Sequence, residues 1–184
     1  MSASQIPGYI SGTWTIDPVH SEIGFVVRHL MVSKVRGQFA KFEGSLTTAP
    51  DPMQSTASAR IDLGSITTKN EQRDAHLRSA DFFDADNHPE MTFQSTGLRA
   101  SGDGFVATGD LTIRGITRPV DLEVEVNGFG PDPYGGTRAG FTATGQINRS
   151  DFGVTWNAAI EGGGVVVSEK VQLVLEIEAV LDKE

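Results

Sequence analysis

Apolar residues recur at every second position along most of this chain, and that period constrains its folding more than any other feature. Alternate side chains of a strand point to opposite faces, so a period of two gives each segment one face for a core and one for water. Ile23, Phe25, Val27 and His29 share one such face. Ala57, Ala59, Ile61 and Leu63 form another, set against Ser58, Arg60 and Asp62. A segment from Val35 to Leu46 changes phase between Phe39 and Phe42, as a bulge requires. Met91 and Phe93 open a further strand after the turn at His88-Pro89. The faces Phe105-Ala107-Gly109-Leu111-Ile113 and Val120-Leu122-Val124-Val126 come next. Ala139-Phe141-Ala143-Gly145-Ile147 and Val171-Leu173-Leu175-Ile177-Ala179 complete the series.

The fold class this predicts is all-β. About eight strands result, joined by turns such as Ala49-Pro50-Asp51-Pro52, Ser101-Gly102-Asp103-Gly104 and Gly130-Pro131-Asp132-Pro133. Long antiparallel strands with one apolar face suit a sandwich or a closed barrel. Strand length, and the removal of exposed edges by closure, favour the eight-stranded antiparallel barrel. One stretch breaks the period. Thr68-Lys69-Asn70-Glu71 reads as a capping box with Thr68 at the N-cap. A short helix near residues 70–80, from Glu71 to Ser79, then carries only Ala75 and Leu77 as apolar anchors. With Asp81-Phe82-Phe83-Asp84 behind it, this segment reads as a lid or plug at one barrel end. Residues 1–11 read as an N-terminal tail and 12–184 as a single domain.

Composition removes several functions. Lys and Arg number 15 against 24 Asp and Glu, a net charge of −9, so phosphate backbones and anionic membrane surfaces are both expected to be repelled. No cysteine is present, which excludes disulfides, thiolate catalysis and Cys-ligated metals. No run of about 18 apolar residues could span a bilayer as a helix. The start, Met1 to Tyr9, lacks a basic segment and an apolar run of signal-peptide length, so the expected compartment is cytoplasmic. His20, His29, His76 and His88 are scattered, and His20 and His29 are an odd offset apart, so no metal, cofactor or catalytic cluster is expected. Arg73 and Asp74, and Arg149 beside Asp151, read as structural charge pairs. Asp151-Phe152-Gly153 matches a kinase tripeptide, but no glycine-rich loop or catalytic loop accompanies it.

Taken together, several segments are more specific. Trp14-Thr15-Ile16-Asp17-Pro18-Val19-His20-Ser21, followed by Phe25, His29, Gly37 and Phe39, resembles the opening signature of the YceI-like family. Arg73-Asp74-Ala75-His76-Leu77, Asp81 to Asp84, and His88-Pro89-Glu90-Met91-Thr92-Phe93 resemble its central motifs. Gly109 to Thr117 with Pro119-Val120, and Asn148 to Gly153, resemble two later ones. The resemblance runs from about residue 12 to 181 and implies a lipocalin-like barrel that holds a long apolar molecule. Family members are described as binding polyisoprenoids, isoprenoid quinones or their precursors, and some hold fatty-acid-like amphiphiles. Many are exported to the periplasm, and the missing export signal here favours an intracellular role.

The resulting expectation is a binding protein, not an enzyme, without cofactor, whose partner is a long-chain isoprenoid or other lipid-like ligand. Neither nucleic acid nor a membrane span is expected, and the oligomeric state stays open, a homodimer included. The expected lining is Phe25, Val27, Phe39, Phe93, Leu111, Ile113, Phe141, Ala143 and Ile147, with His29 as the polar contact. Small inward residues at Ala107, Gly109, Ala143 and Gly145 should leave room, since an eight-stranded barrel is just wide enough for side chains or one small ligand. Two other readings stand beside it: a filled structural barrel, and an enzyme on an isoprenoid with His29 or His20 as acid–base.

Overall fold

The alternating stretches form long antiparallel strands in the structure, a computed structural model that describes residues 5–183. In chain order these are β1 (Gly12–Ile16), β2 (Glu22–His29), β3 (Ser33–Phe39), β4 (Phe42–Thr48), β5 (Thr56–Asp62) and β6 (Ile66–Thr67). After the helix α1 (Glu71–Arg78) come β7 (Glu90–Ser101), β8 (Gly104–Ile113), β9 (Ile116–Pro131), β10 (Thr137–Asn148) and β11 (Val167–Leu181). Three consecutive pairs, β1 with β2, β3 with β4 and β5 with β6, each make one interrupted wall. The barrel therefore has eight walls, each paired with its chain neighbours. Closure falls to β11, which meets β1 through Trp14↔Leu181 and β2 through Val27↔Val171.

The interruptions have local causes. Pro18 has no N–H to give a ladder, and the chain leaves β1 there. Ser21 repairs the gap: its hydroxyl donates to the Glu178 carbonyl (3.1 Å) and accepts from the Glu178 N–H (2.9 Å). The phase change between Phe39 and Phe42 is a break between β3 and β4 at Ala40-Lys41, where a bulge within one strand was expected. Ile113↔Ile116 is closed by a two-residue turn with Arg114 and Gly115 both at positive φ, the conformation that suits strand twist.

The helix starts differently from its expected capping box. Asn70 is the N-cap, accepting from the Arg73 N–H at 2.9 Å, and the helix ends at Arg78. Thr68 instead holds buried Asp74, donating to Oδ1 through its N–H (2.8 Å) and its hydroxyl (2.6 Å). Arg73 also binds Thr68, at Oγ1 (2.7 Å) and at its carbonyl (3.0 Å), so Arg73 and Asp74 are joined through Thr68 and form no direct ion pair.

Two buried clusters fill the ends of the barrel. Near α1, Leu63 and Phe152 are almost wholly buried among Ile61, Ile66, Phe82 and Ile113. At the other end Trp14 packs with Ala139 and Ala179, against Ile10, Leu46, Phe129 and Leu181. The indole N–H donates to Thr48 Oγ1 (2.8 Å), which donates on to the Ile10 carbonyl (2.7 Å). Residues 5–11, the described part of the expected tail, lie against this end: Ile6 is buried and the Tyr9 hydroxyl donates to the Ala49 carbonyl (2.7 Å). Met1 to Ser4, on which part of the signal-peptide reading rests, lie outside the described residues.

Candidate functional site

The inward faces of the strands do not meet across the barrel. They leave a cavity of about 310 Å³, reached from both clusters: Ile113 and Phe82 line it at one end, Leu46 and Phe141 at the other. Phe25, Val27, Phe39, Phe93 and Leu111 line it, as do Ile113, Phe141, Ala143 and Ile147. His29 does not. By strand parity it shares the face of Val27, but it is the last residue of β2, opposite Ser33 and Val167 at the rim, beyond the lining.

Four small residues divide into two kinds. Ala107 and Ala143 border the cavity. Gly109 makes room for a neighbour: a Cβ there would lie 2.3 Å from Cζ of Phe93, whose ring covers the position. Gly145 is covered likewise by Leu122, 2.8 Å from such a Cβ, so these two glycines set side-chain packing while the alanines set the cavity's width.

Helix α1 and the turn after it close one end, with Leu77, Phe82 and Phe83 all in the lining. Arg114, in the β8–β9 turn, fastens this closure by donating to the carbonyls of Ala80 (2.9 Å) and Phe82 (2.6 Å). Phe82 packs in turn against His76 and Trp156. Sequence periodicity could not find Phe152 and Val154, which also line the cavity, because they sit in the irregular loop after β10.

Polar groups are confined to the ends of the lining. At the α1 end Arg149 is buried and takes no part with Asp151. Its guanidinium donates to the carbonyls of Ser168 (2.9 Å), Val154 (3.0 Å) and Trp156 (2.8 Å), with a longer contact to Val167 (3.4 Å). Burial lowers its pKa, opposed by the charge of Glu169. At the far end the lining includes Thr47, Thr48, Ser55, Thr56 and Ser95, of which Thr48, Ser55 and Ser95 are spent on the protein's own backbone.

The histidines stay apart. His20 meets Asp17 (2.8 Å) on one surface and His76 meets Asp81 (2.8 Å) on another. Asp17, His20 and Glu178 do bring ligand-type atoms within 4.8 Å of one another. Arg138 already occupies that carboxylate pair, donating to Asp17 Oδ2 (2.8 Å) and Glu178 Oε1 (2.6 Å), so a cation stands where a metal ion would. Hydrogen bonding from Arg138, then from His20, holds the Asp17 carboxyl well below the ordinary range.

A family model for the YceI-like domain matches residues 14–179. The chain belongs to the YceI-like family. A UPF0312 protein of Photorhabdus laumondii is 39% identical over 165 residues, which cover 89% of this chain and 83% of that protein. The crystal structure of BcnA from Burkholderia cenocepacia superposes with a TM-score of 0.76 at 26% identity, covering 89% of this chain and 98% of that one. A polyisoprenoid binding domain from Saccharophagus degradans gives a TM-score of 0.68 over 94% of this chain and all of that one. It is 15% identical, so that likeness is one of fold.

The segments that resemble YceI-like signatures mostly fix the barrel. Trp14 plugs one end, Asp74 seats the helix, Arg114 holds the closing turn, and Arg149 gathers the loop after β10. What they leave between them is an apolar interior.

Proposed function

We propose that this YceI-like barrel holds a long apolar chain in its interior, an isoprenoid such as a polyprenyl or isoprenoid-quinone tail or a similar amphiphile, and carries, stores or sequesters it. The cavity carries this reading: it falls in the size range of small-molecule sites and its walls are hydrocarbon, with polar groups only at the ends. Burying an apolar tail there stabilises binding by on the order of 25 cal/mol per Å², before ordering costs. A filled structural barrel would not keep such a space, and His20 and His76, each paired with a carboxylate at the surface, stand outside its lining. That a domain of the same fold is known for binding polyisoprenoid supports the choice of ligand class.

Ala143 tests the reading. It lies in mid-β10, opposite Val124 and Leu175, and all three line the cavity. In Ala143→Phe the ring takes the place of about four or five ligand carbons, at about 0.8 kcal/mol each, which is a loss of about 3–4 kcal/mol or a hundred- to thousandfold in Kd. Overpacking costs the fold about 1–3 kcal/mol. A fluorescent polyprenyl analogue titrated into the folded variant should bind that much more weakly. Unchanged affinity in a folded variant would place the ligand elsewhere.

A further inference from the structure

Net charge treats the surface as uniform, and it is not. The turn between β2 and β3 carries Leu30, Met31 and Val32, which are 37%, 54% and 81% exposed. They are three consecutive members of the five exposed large apolar residues among the described residues. Leu30 and Met31 also sit at positive φ (51° and 62°), where Asn and Gly are the favoured residues and bulky apolar ones are strained. The turn thus keeps apolar side chains in water in a conformation that disfavours them.

Behind that tip the charge is positive. Arg28 stands opposite Lys34 across the β2–β3 hairpin, and Arg36 opposite Val26. On β11 the three residues between Val167 and Val171 bulge opposite Arg28, whose N–H donates to Ser168 Oγ (3.1 Å). Lys170 is exposed in this bulge, next to Glu169, whose carboxylate accepts from the Ser150 N–H. All four cations are exposed, on strand positions that alternate with the inward face, and none has a carboxylate within ion-pair distance among the described residues. The outer edge of the hairpin is unpaired, because β3 meets β6 only at Gln38 and Phe39 and leaves Ser33 to Gly37 open, while β2 is held by β11. Charges on an edge strand discourage unwanted pairing. That role requires neither the cations on β2 and β11 nor an apolar tip.

We propose that the β2–β3 hairpin docks the protein on an anionic lipid bilayer, the apolar tip entering the acyl boundary and the four cations meeting lipid phosphates. Charges more than about 10 Å away are largely screened at 0.1 M salt, so the local patch, not the net charge of −9, decides contact. This revises the expectation drawn from composition. Val27, in the cavity lining, is three residues from Leu30, so docking brings one end of the cavity to the bilayer. Exchange of a lipid ligand across that contact rests on the isoprenoid reading. Docking does not.

Flotation with vesicles of phosphatidylglycerol and phosphatidylcholine, and with phosphatidylcholine alone, tests it using the full chain. The protein should float with the anionic vesicles at about 0.1 M salt, be released at about 1 M salt, and ignore the zwitterionic ones. Leu30→Asn with Met31→Gly and Val32→Ser gives the turn its favoured residues, so the variant folds, and its binding should fall at least tenfold. Replacing Arg28, Lys34 and Arg36 by Gln should weaken binding about fivefold per cation. Failure of the parent to bind anionic vesicles, or variants that bind like it, would overturn the proposal. Self-association lost in the tip variant, without vesicle binding, would also overturn it and assign the patch to a second copy. Uptake of the polyprenyl analogue from solution, measured in the same variants, reports separately on the cavity.

Discussion

Arg149→Met removes the most connected buried side chain in the structure. The guanidinium makes four contacts to carbonyls, and the Val167 carbonyl keeps a donor without it, from Asn157 Nδ2 at 2.7 Å. Three carbonyls, of Ser168, Val154 and Trp156, lose theirs. At about 1–3 kcal/mol for each unsatisfied buried group the upper bound is about 9 kcal/mol. Water can reach half-buried Trp156 and Ser168, and the substitution also relieves a desolvated charge, so the expected loss is about 3–5 kcal/mol. For a chain of this size that is a fall in Tm of about 6–20 °C. Arg149→Lys should lose nearly as much, since a single ammonium cannot serve three carbonyls in a fork. Urea unfolding followed by Trp fluorescence measures both. A loss below about 1 kcal/mol for Arg149→Met would refute the view that this residue gathers the loop after β10.

The helix start gives an ordered pair of outcomes. Asn70→Ala should cost about 1 kcal/mol for a lost cap, whereas Thr68→Val should cost about 2–3 kcal/mol because it strips a partner from buried Asp74. Urea midpoints in the reverse order would restore Thr68 as the cap. Acid stability follows from Asp17. With its folded pKa depressed, chiefly by Arg138, its contribution is complete above the unfolded value near 4 and is lost as the pH falls through the folded value. Arg138→Met should therefore be destabilised at pH 7 relative to the parent, and the gap should shrink as the pH falls below about 4, read as Tm against pH. A gap that widens in acid would reverse the assignment.

Much of the barrel is legible in the sequence because strand periodicity is a local signal. Phe25, Val27, Leu111, Ile113 and Phe141 reach the cavity by alternation alone, and alternation needs no tertiary knowledge. The same rule misplaces His29, since parity says which face a residue shares but not where the wall ends. It is silent on Phe152 and Val154, which lie in a segment with no period that Arg149 holds through the carbonyls of Val154 and Trp156. Glycine is ambiguous for a related reason: Gly109 looks like space along its own strand, and only the cross-strand register shows that Phe93 fills it. Thr68 and Asn70 lie two residues apart and both are good caps, and the choice between them is made by the burial of Asp74. The apolar, positive-φ turn at Leu30 and Met31 is invisible to composition, because a net charge sums over surfaces that never act together.

The central claim is that the barrel interior is a site for a long apolar ligand. Native mass spectrometry of the purified protein, followed by organic extraction and identification of what is released, tests it most directly. A long-chain isoprenoid or similar amphiphile should accompany the folded protein, or a polyprenyl chain supplied in vitro should be taken up in stoichiometric amount and be excluded by Ala143→Phe. No extractable lipid together with no uptake in vitro would contradict the claim and leave the barrel a structural module.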